Sequence, residues 1–242
     1  MSFIRIAHRG APKLAPENTI ASFKKALEFD IDCIELDVHI TKDNEIVVMH
    51  DDTLDRTTNI KGALAEKTLS EIRQADAGAW YALKFKGERI PTLREALEFI
   101  NKRVITVIEI KDDWIGPRVV KLIEKMKLED YIIIISFHPK VIADIRKTGS
   151  TVQTGLLIGS EPSGAKDTRR ALDLIHRAAK IGANHLTIYH KMITPEMAYQ
   201  IRKRGMPLYV WTVDDAKTMA SLSDMGISGI TSNVPGLFKN FK

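Results

Sequence analysis

Glu35 and Asp37 stand two residues apart inside the apolar run Cys33-Ile34-Glu35-Leu36-Asp37-Val38. On a β-strand that spacing sends both side chains from one face toward one point. Glu109 and Lys111 repeat the spacing in Glu109-Ile110-Lys111. Carboxylates held together in apolar surroundings repel one another and lose hydration, so they require a cation or a hydrogen-bond donor between them. A hard divalent ion meets that need. Ligands that are all oxygen, with no cysteine among them, select Mg2+ or Ca2+ over Zn2+. Pairing of Glu35 or Asp37 with an arginine or lysine is the competing arrangement.

Two histidines add proton chemistry. His8 closes the first apolar run, Ile4-Arg5-Ile6-Ala7, and His50 closes the segment from Val38 onward, which reads as a hairpin turning at Asp43-Asn44. A two-residue turn there sets Lys42 opposite Glu45, and the same register carried along the arms sets His50 opposite Asp37. Both imidazoles are therefore expected over the carboxylates, where a group able to give or take a proton near neutral pH suits acid and base roles. His39, His138, His176, His185 and His190 are expected to be structural, with His138 and His190 near strand ends. Arg9 and Lys111 bring positive charge to the same rim, suited to a phosphate anion or to neutralising the carboxylates. Trp211 offers a flat wall to a small substrate, or a ring for the core.

Such residues need a frame that aligns the ends of several strands. From Arg103 onward a short apolar, β-branched run is repeatedly followed by an amphipathic stretch ending in glycine, at Gly149, Gly182, Gly205 and Gly226. This is the rhythm of βα units, with glycine at the helix C-cap. Thr194-Pro195-Glu196 and Thr92-Leu93-Arg94-Glu95 read as helix starts. Val104-Ile105-Thr106-Val107-Ile108 and Ile132-Ile133-Ile134-Ile135 are apolar on both parities, as expected of parallel strands covered on both faces. Strands are expected near 4–7, 33–38, 104–110, 132–135, 152–157, 185–188, 208–212 and 229–231, a count that closes an α/β TIM (β/α)8 barrel. An open doubly wound sheet is the alternative, weakened because no G-x-G-x-x-G turn follows any strand. The irregular stretch of about 51–91 reads as a small inserted subdomain between the segment bearing His50 and the next helix, within a single domain spanning 1–242. It would sit above the strand ends, as a lid or as a loop without a role.

The chain has 242 residues, 44% hydrophobic and 28% charged, which excludes disorder, collagen and a disulfide scaffold. Its formal net charge of +5 comes with no stripe of basic and aromatic residues, so no nucleic-acid partner is expected. Cys33 is the single cysteine and permits no internal disulfide. No apolar run approaches the ~20 residues of a membrane span, and the first residues lack the pattern of a secretory signal, so a cytoplasmic protein without stable membrane insertion is expected.

Taken in order, His8-Arg9-Gly10, Pro16-Glu17-Asn18-Thr19, Glu35-Leu36-Asp37-Val38, Thr41-Lys42-Asp43, His50-Asp51 and Arg56-Thr57-Thr58 form a specific series. Ile90-Pro91-Thr92-Leu93, Glu109-Ile110-Lys111 and Trp211-Thr212-Val213 continue it. The series resembles the glycerophosphodiester phosphodiesterase family over nearly the whole chain. The resemblance implies a TIM barrel with a small inserted subdomain and a divalent-metal-dependent hydrolase. Such an enzyme releases sn-glycerol 3-phosphate and an alcohol from small-molecule glycerophosphodiesters such as glycerophosphocholine or glycerophosphoethanolamine. It further implies Glu35, Asp37 and Glu109 as ligands of one Mg2+ or Ca2+, and His8 and His50 as the acid–base pair. Arg9 and Lys111 become phosphate-binding positions and Trp211 the wall beside the glycerol.

Two positions depart from the family pattern. Many relatives carry Thr-Asp before a final Pro-Asp where this chain has Thr231-Ser232-Asn233-Val234-Pro235-Gly236, and Asp214 stands where Asn is common. The missing acid at Ser232 is expected to bear on head-group preference or affinity and to leave the metal and histidine positions unaffected. Two other functions share the architecture. A barrel phospholipase acting on intact lipids would need an exposed apolar rim, for which no basic amphipathic helix with aromatic anchors is present. A noncatalytic glycerophosphodiester sensor would tolerate loss of a histidine or a metal ligand, yet all five are present.

Overall fold

Strand pairing runs in a closed ring. β1 (Ile4–Ala7) pairs in parallel with β2 (Cys33–Ile40) on one side and with β9 (Gly229–Ser232) on the other. Between them β4 (Ile105–Ile110), β5 (Ile132–Ser136), β6 (Gln153–Ile158), β7 (His185–Tyr189) and β8 (Leu208–Trp211) follow in chain order, which makes the eight-stranded TIM barrel. β3 (Ile46–Val48) lies outside the ring, antiparallel to the end of β2. The computed structural model describes residues 3–160 and 166–241.

Runs that were apolar on both parities divide by parity. Ile6, Cys33, Val107, Ile135 and Leu157 fill the barrel interior. Their neighbours Ile34, Leu36, Ile108, Ile134 and Ile188 pack outward against Phe23, Leu97, Val119, Ile142 and other helical side chains. The covering helices are α1 (Ile20–Ala26), α3 (Leu93–Ile100), α4 (Gly116–Met126), α5 (Pro139–Lys147), α6 (Asp167–Ile181), α7 (Pro195–Arg202) and α8 (Ala216–Asp224). Thr92 caps α3 with a reciprocal bond to Glu95, and Thr194 caps α7 ahead of Pro195. The chain leaves α5 and α6 through Gly149 and Gly182 at φ 78° and 76°, the left-handed conformation that glycine adopts without strain. No helix among the described residues is long and apolar enough to cross a membrane.

Between β3 and α3 the chain makes an excursion with one short α-helix, α2 (Leu69–Ile72), capped reciprocally by Thr68 and Glu71, and two single 3-10 turns at Leu64–Glu66 and Leu83–Phe85. Leu54, Leu64, Ile72 and Ile90 form a small core of their own that also takes in Val47 and Met49 from the hairpin arm.

The hairpin register differs from the expected one by one residue. Asn44 adopts φ 65°, which asparagine tolerates, and the loop therefore holds three residues rather than two. The Thr41 N–H donates to the Glu45 carbonyl at 2.9 Å, Ile40 pairs with Ile46 and Val38 with Val48. Met49, not His50, therefore lies across from Asp37, its N–H donating to the Asp37 carbonyl at 3.0 Å. Because a single-residue slip exchanges the two faces of a strand, this register is what sends Val47 and Met49 into the small core.

Candidate active site

Parallel register sets Asp37 directly beside Glu109 on the neighbouring strand, and Glu35 beside Val107. Cys33, Glu35 and Asp37 share the parity that faces the barrel interior, so the two acids stand above the apolar filling at the C-terminal mouth. Glu35, Asp37 and Glu109 are 2%, 0% and 7% exposed, and each offers an oxygen within 4.8 Å of the others.

Two cations and an amide hold this charge. Lys111 Nζ lies 2.8 Å from Asp37 Oδ1 and also contacts Glu109. Arg9 Nε lies 3.1 Å from Asp37 Oδ2, Arg9 Nη1 donates to Glu17 at 2.9 Å, and the Arg9 N–H donates to Glu35 at 2.9 Å. Asn18 Nδ2 donates to Asp37 Oδ2 at 2.8 Å. Of the two roles open to Arg9 and Lys111, neutralising the carboxylates is the one the structure forms.

The compensation is uneven. Burial and the charges of Asp37 and Glu109 push Glu35 well above the ordinary carboxylate range, and burial with the Asp37 charge pushes Glu109 up to about 7. Burial acts on Asp37 in the same direction, but the Lys111 and Arg9 charges overcome it and hold that carboxyl low. Asp37 Oδ1 is buried and accepts no well-angled hydrogen bond despite its ion pair. An ionised, fully buried carboxylate beside two acids that burial drives toward protonation is a donor set that a small dication completes. Its all-oxygen chemistry fits Mg2+ or Ca2+.

A tight turn after β1 delivers His8. Gly10 has φ 85°, and a Cβ there would lie 2.5 Å from Ser22 Oγ and 2.7 Å from its backbone, so the chain can approach α1 this closely only with glycine. Ser22 Oγ locks the turn, donating to the Arg9 carbonyl and accepting from the Ala11 N–H, both at 2.8 Å. His8 Nε2 then lies 3.9 Å from Glu35, while Nδ1 meets Asn233 Oδ1 at 2.7 Å. Burial, then the Arg9 charge, lowers the His8 pKa to about 4.

His50 arrives from the far arm of the hairpin. Its Nδ1 meets Asp51 Oδ1 at 2.7 Å, and Arg56 ties Asp51 to Glu17 through bonds of 2.6–3.0 Å. Burial lowers its pKa, opposed by the Asp37 charge. His39 lies beneath it, with Nε2 3.1 Å from the His50 carbonyl and Nδ1 3.2 Å from Asp112. Because both partners accept, His39 donates from both nitrogens; burial lowers its pKa most strongly, but the Asp112 hydrogen bond and charge together with the His50 carbonyl overcome it and raise the pKa.

Trp211, at the end of β8, stacks edge-on with Phe137 and tilted against Tyr189, ring centres 5.5 Å apart in each case. The eight residues picked out by spacing thus come to one end of the barrel. His176 is exposed on α6, His138 is exposed in the loop between β5 and α5, His190 contacts the Trp211 carbonyl, and His185 lies inside the barrel. Spacing did not reveal Asn18, Asp51, Asn233 or Asp214, which hold the site residues in place. Pro16-Glu17-Asn18-Thr19 and His50-Asp51 carried the signal for the first two. A groove of about 1030 Å3 between α3 and α4, lined by Arg94, Trp114, Arg118 and Lys121, shares no residue with the carboxylate cluster.

Comparison with known proteins bears on the family and the fold. A sequence profile described as the Glycerophosphoryl diester phosphodiesterase family matches residues 8–237. A glycerophosphodiester phosphodiesterase of Caldanaerobacter subterraneus subsp. tengcongensis is 39% identical over 97% of this chain and 96% of its own. The crystal structure of a glycerophosphodiester phosphodiesterase from Agrobacterium tumefaciens superposes with a TM-score of 0.84 at 28% identity, over 99% of this chain and 100% of that one. An Oleispira antarctica phosphodiesterase in complex with the product sn-glycerol-3-phosphate gives 0.86 at 26% identity, over 98% and 95% of the two chains. With a barrel of the same topology along its full length, the chain belongs to the glycerophosphoryl diester phosphodiesterase family of enzymes.

Proposed function

We propose that this enzyme hydrolyses glycerophosphodiesters, such as glycerophosphocholine or glycerophosphoethanolamine, to sn-glycerol 3-phosphate and an alcohol. In this reading Glu35, Asp37 and Glu109 hold one Mg2+ or Ca2+, and His8 and His50 are the acid–base pair. The observation that carries it is the meeting of two histidines over a buried trio of carboxylates at the barrel mouth. The complex of the Oleispira relative with sn-glycerol-3-phosphate supports the class of product.

A dication bound there supplies charge stabilisation to the phosphoryl oxygens and acidity to a neighbouring substrate hydroxyl. Arg9 and Lys111, ion-paired to Glu17 and Asp37, would lend part of their charge to the phosphate of a bound diester. Trp211 presents its ring to the glycerol. One histidine takes the proton of the nucleophile while the other protonates the oxygen of the departing alcohol as its bond to phosphorus breaks. If the adjacent glycerol hydroxyl is the nucleophile, a cyclic phosphate forms, and water opens it with the histidines exchanging roles. If water attacks directly, no cyclic species accumulates, so phosphorus NMR of the reaction separates the routes. A cytoplasmic location, where the buried thiol of Cys33 stays reduced, belongs to the same reading.

The test is release of sn-glycerol 3-phosphate from several head-group diesters after chelator treatment and resupply of Mg2+ or Ca2+. Product restored by either ion is expected, with His8→Ala and His50→Ala each lowering kcat by about 10²-fold or more. A folded, metal-loaded protein that releases no product from any of them would overturn the reading and direct attention to intact lipids.

A further inference from the structure

Three loops meet behind His8. Its Nδ1 lies 2.7 Å from Asn233 Oδ1. Asn233 turns its other side to Asp214, Nδ2 donating to Oδ2 and the backbone N–H to Oδ1, both at 2.8 Å. Ser232 Oγ adds a bond to Asp214 Oδ1 at 3.2 Å and accepts from the Val234 N–H at 3.0 Å. His8 follows β1, Asn233 follows β9 and Asp214 follows β8, three strands that are consecutive in the barrel wall. The two departures from the family pattern are therefore bonded to each other. The loop after β9, expected to leave the histidines unaffected, is the one that touches His8.

These contacts have a direction. A carboxylate only accepts hydrogen bonds, so the amide of Asn233 must turn its NH2 toward Asp214. Its carbonyl oxygen then faces His8, and an oxygen acceptor requires the proton on Nδ1. Nε2, the nitrogen 3.9 Å from Glu35, is left as the one that exchanges protons. Removing the Asp214 carboxylate frees the amide to turn end for end, and an NH2 facing His8 would hold the lone pair on Nδ1 instead. A neutral imidazole in that tautomer presents an N–H where a base must present a lone pair.

We propose that Asp214 and Asn233 are a positioning relay that holds His8 in its Nδ1-protonated tautomer, with Nε2 directed over the carboxylates. The consequence for turnover rests on the acid–base role proposed above for His8. The acid absent from the loop after β9 is thus supplied from the loop after β8.

The test uses the Mg2+-loaded protein with 15N-labelled histidine, at a pH where the His8 ring is neutral. In the wild type, His8 should show a pyrrole-type Nδ1 and a pyridine-type Nε2. Asp214→Ala should move both toward the average of the two tautomers and lower kcat roughly 10- to 100-fold with little change in KM. Asp214→Asn, which keeps the volume and also lets the amide turn, serves should the alanine variant not fold. The transposed double variant Asp214→Asn/Asn233→Asp sets a carboxylate directly on Nδ1–H, and should restore the tautomer and most of the lost kcat. An unchanged tautomer in the Asp214 variants overturns the relay, whereas a changed tautomer with full kcat upholds the relay and overturns the acid–base role of His8. A wild type that turns over no glycerophosphodiester defeats the functional reading alone, because the tautomer is read without substrate.

Discussion

Asp37 and Glu109 are register partners on β2 and β4, so the barrel forces two buried carboxylates to share one mouth. Glu35 joins them from two residues earlier on the same inward row. Lys111 lies 2.8 Å from Asp37 on one side and Arg9 3.1 Å on the other, yet burial still holds Glu35 and Glu109 above the ordinary carboxylate range. The site therefore carries an electrostatic cost that a bound cation would remove.

A cation held by the trio should stabilise the folded chain. At a free concentration of 100 times Kd, linkage gives about 2.7 kcal/mol. For a chain of this size each kcal/mol is worth roughly 2–4 °C, so saturating Mg2+ or Ca2+ should raise Tm by several degrees over the chelated protein. Asp37→Asn should abolish the increment. Thermal scans with and without chelator measure it, and a wild-type Tm indifferent to both ions would argue against the site.

Asp51 should matter to turnover through His50. Its carboxylate accepts from Nδ1 at 2.7 Å and is itself fixed by Arg56. This leaves Nε2 as the free nitrogen of His50, so Asp51→Ala should lower kcat by roughly 10- to 100-fold with the fold intact. Steady-state kinetics with matched circular dichroism tests it; a kcat equal to wild type would leave His50 oriented by something else.

Much of this site could be read from residue types because strand geometry is simple. Glu35, Asp37 and Glu109 were legible since parity alone decides which way they point. The barrel was legible in runs such as Ile132–Ile135, apolar on both faces. The hairpin register was not: it turned on Asn44 accepting a left-handed conformation, a choice no hydrophobic pattern records. Nor was the contact of Asp214 with Asn233, which exists only once β8 and β9 are neighbours. Ser232 and Asp214, read as separate departures, belong with Asn233 to one hydrogen-bonded unit.

Gly155 is a packing requirement of the barrel interior. It pairs in register with His185, and a Cβ at this position would lie 2.0 Å from His185 Nε2. The ring has little room to retreat, since Tyr209 lies across it at 4.7 Å between centres. Gly155→Ala should cost about 1–3 kcal/mol by overpacking. Adding His185→Ala should return part of that loss, because the two sites are in contact. Urea denaturation of both variants measures the coupling, and an unperturbed single variant would contradict it.

The same histidine should make stability depend on pH. Burial lowers its pKa from 6.5 to about 4 in the folded chain. Between those values the unfolded chain binds a proton that the folded chain refuses, so unfolding is favoured as pH falls. The contribution is intact above about pH 6.5, declines through the interval, and levels off below about pH 4, where both states are protonated. The full difference amounts to roughly 3 kcal/mol. His185→Gln removes the titration without removing a polar group. Urea denaturation at neutral pH and near pH 4.5 should therefore show the wild type losing roughly 2–3 kcal/mol more than the variant does. Equal losses in the two proteins would mean that His185 is protonated inside the barrel, and that the interior beside Gly155 and Tyr209 admits a charge.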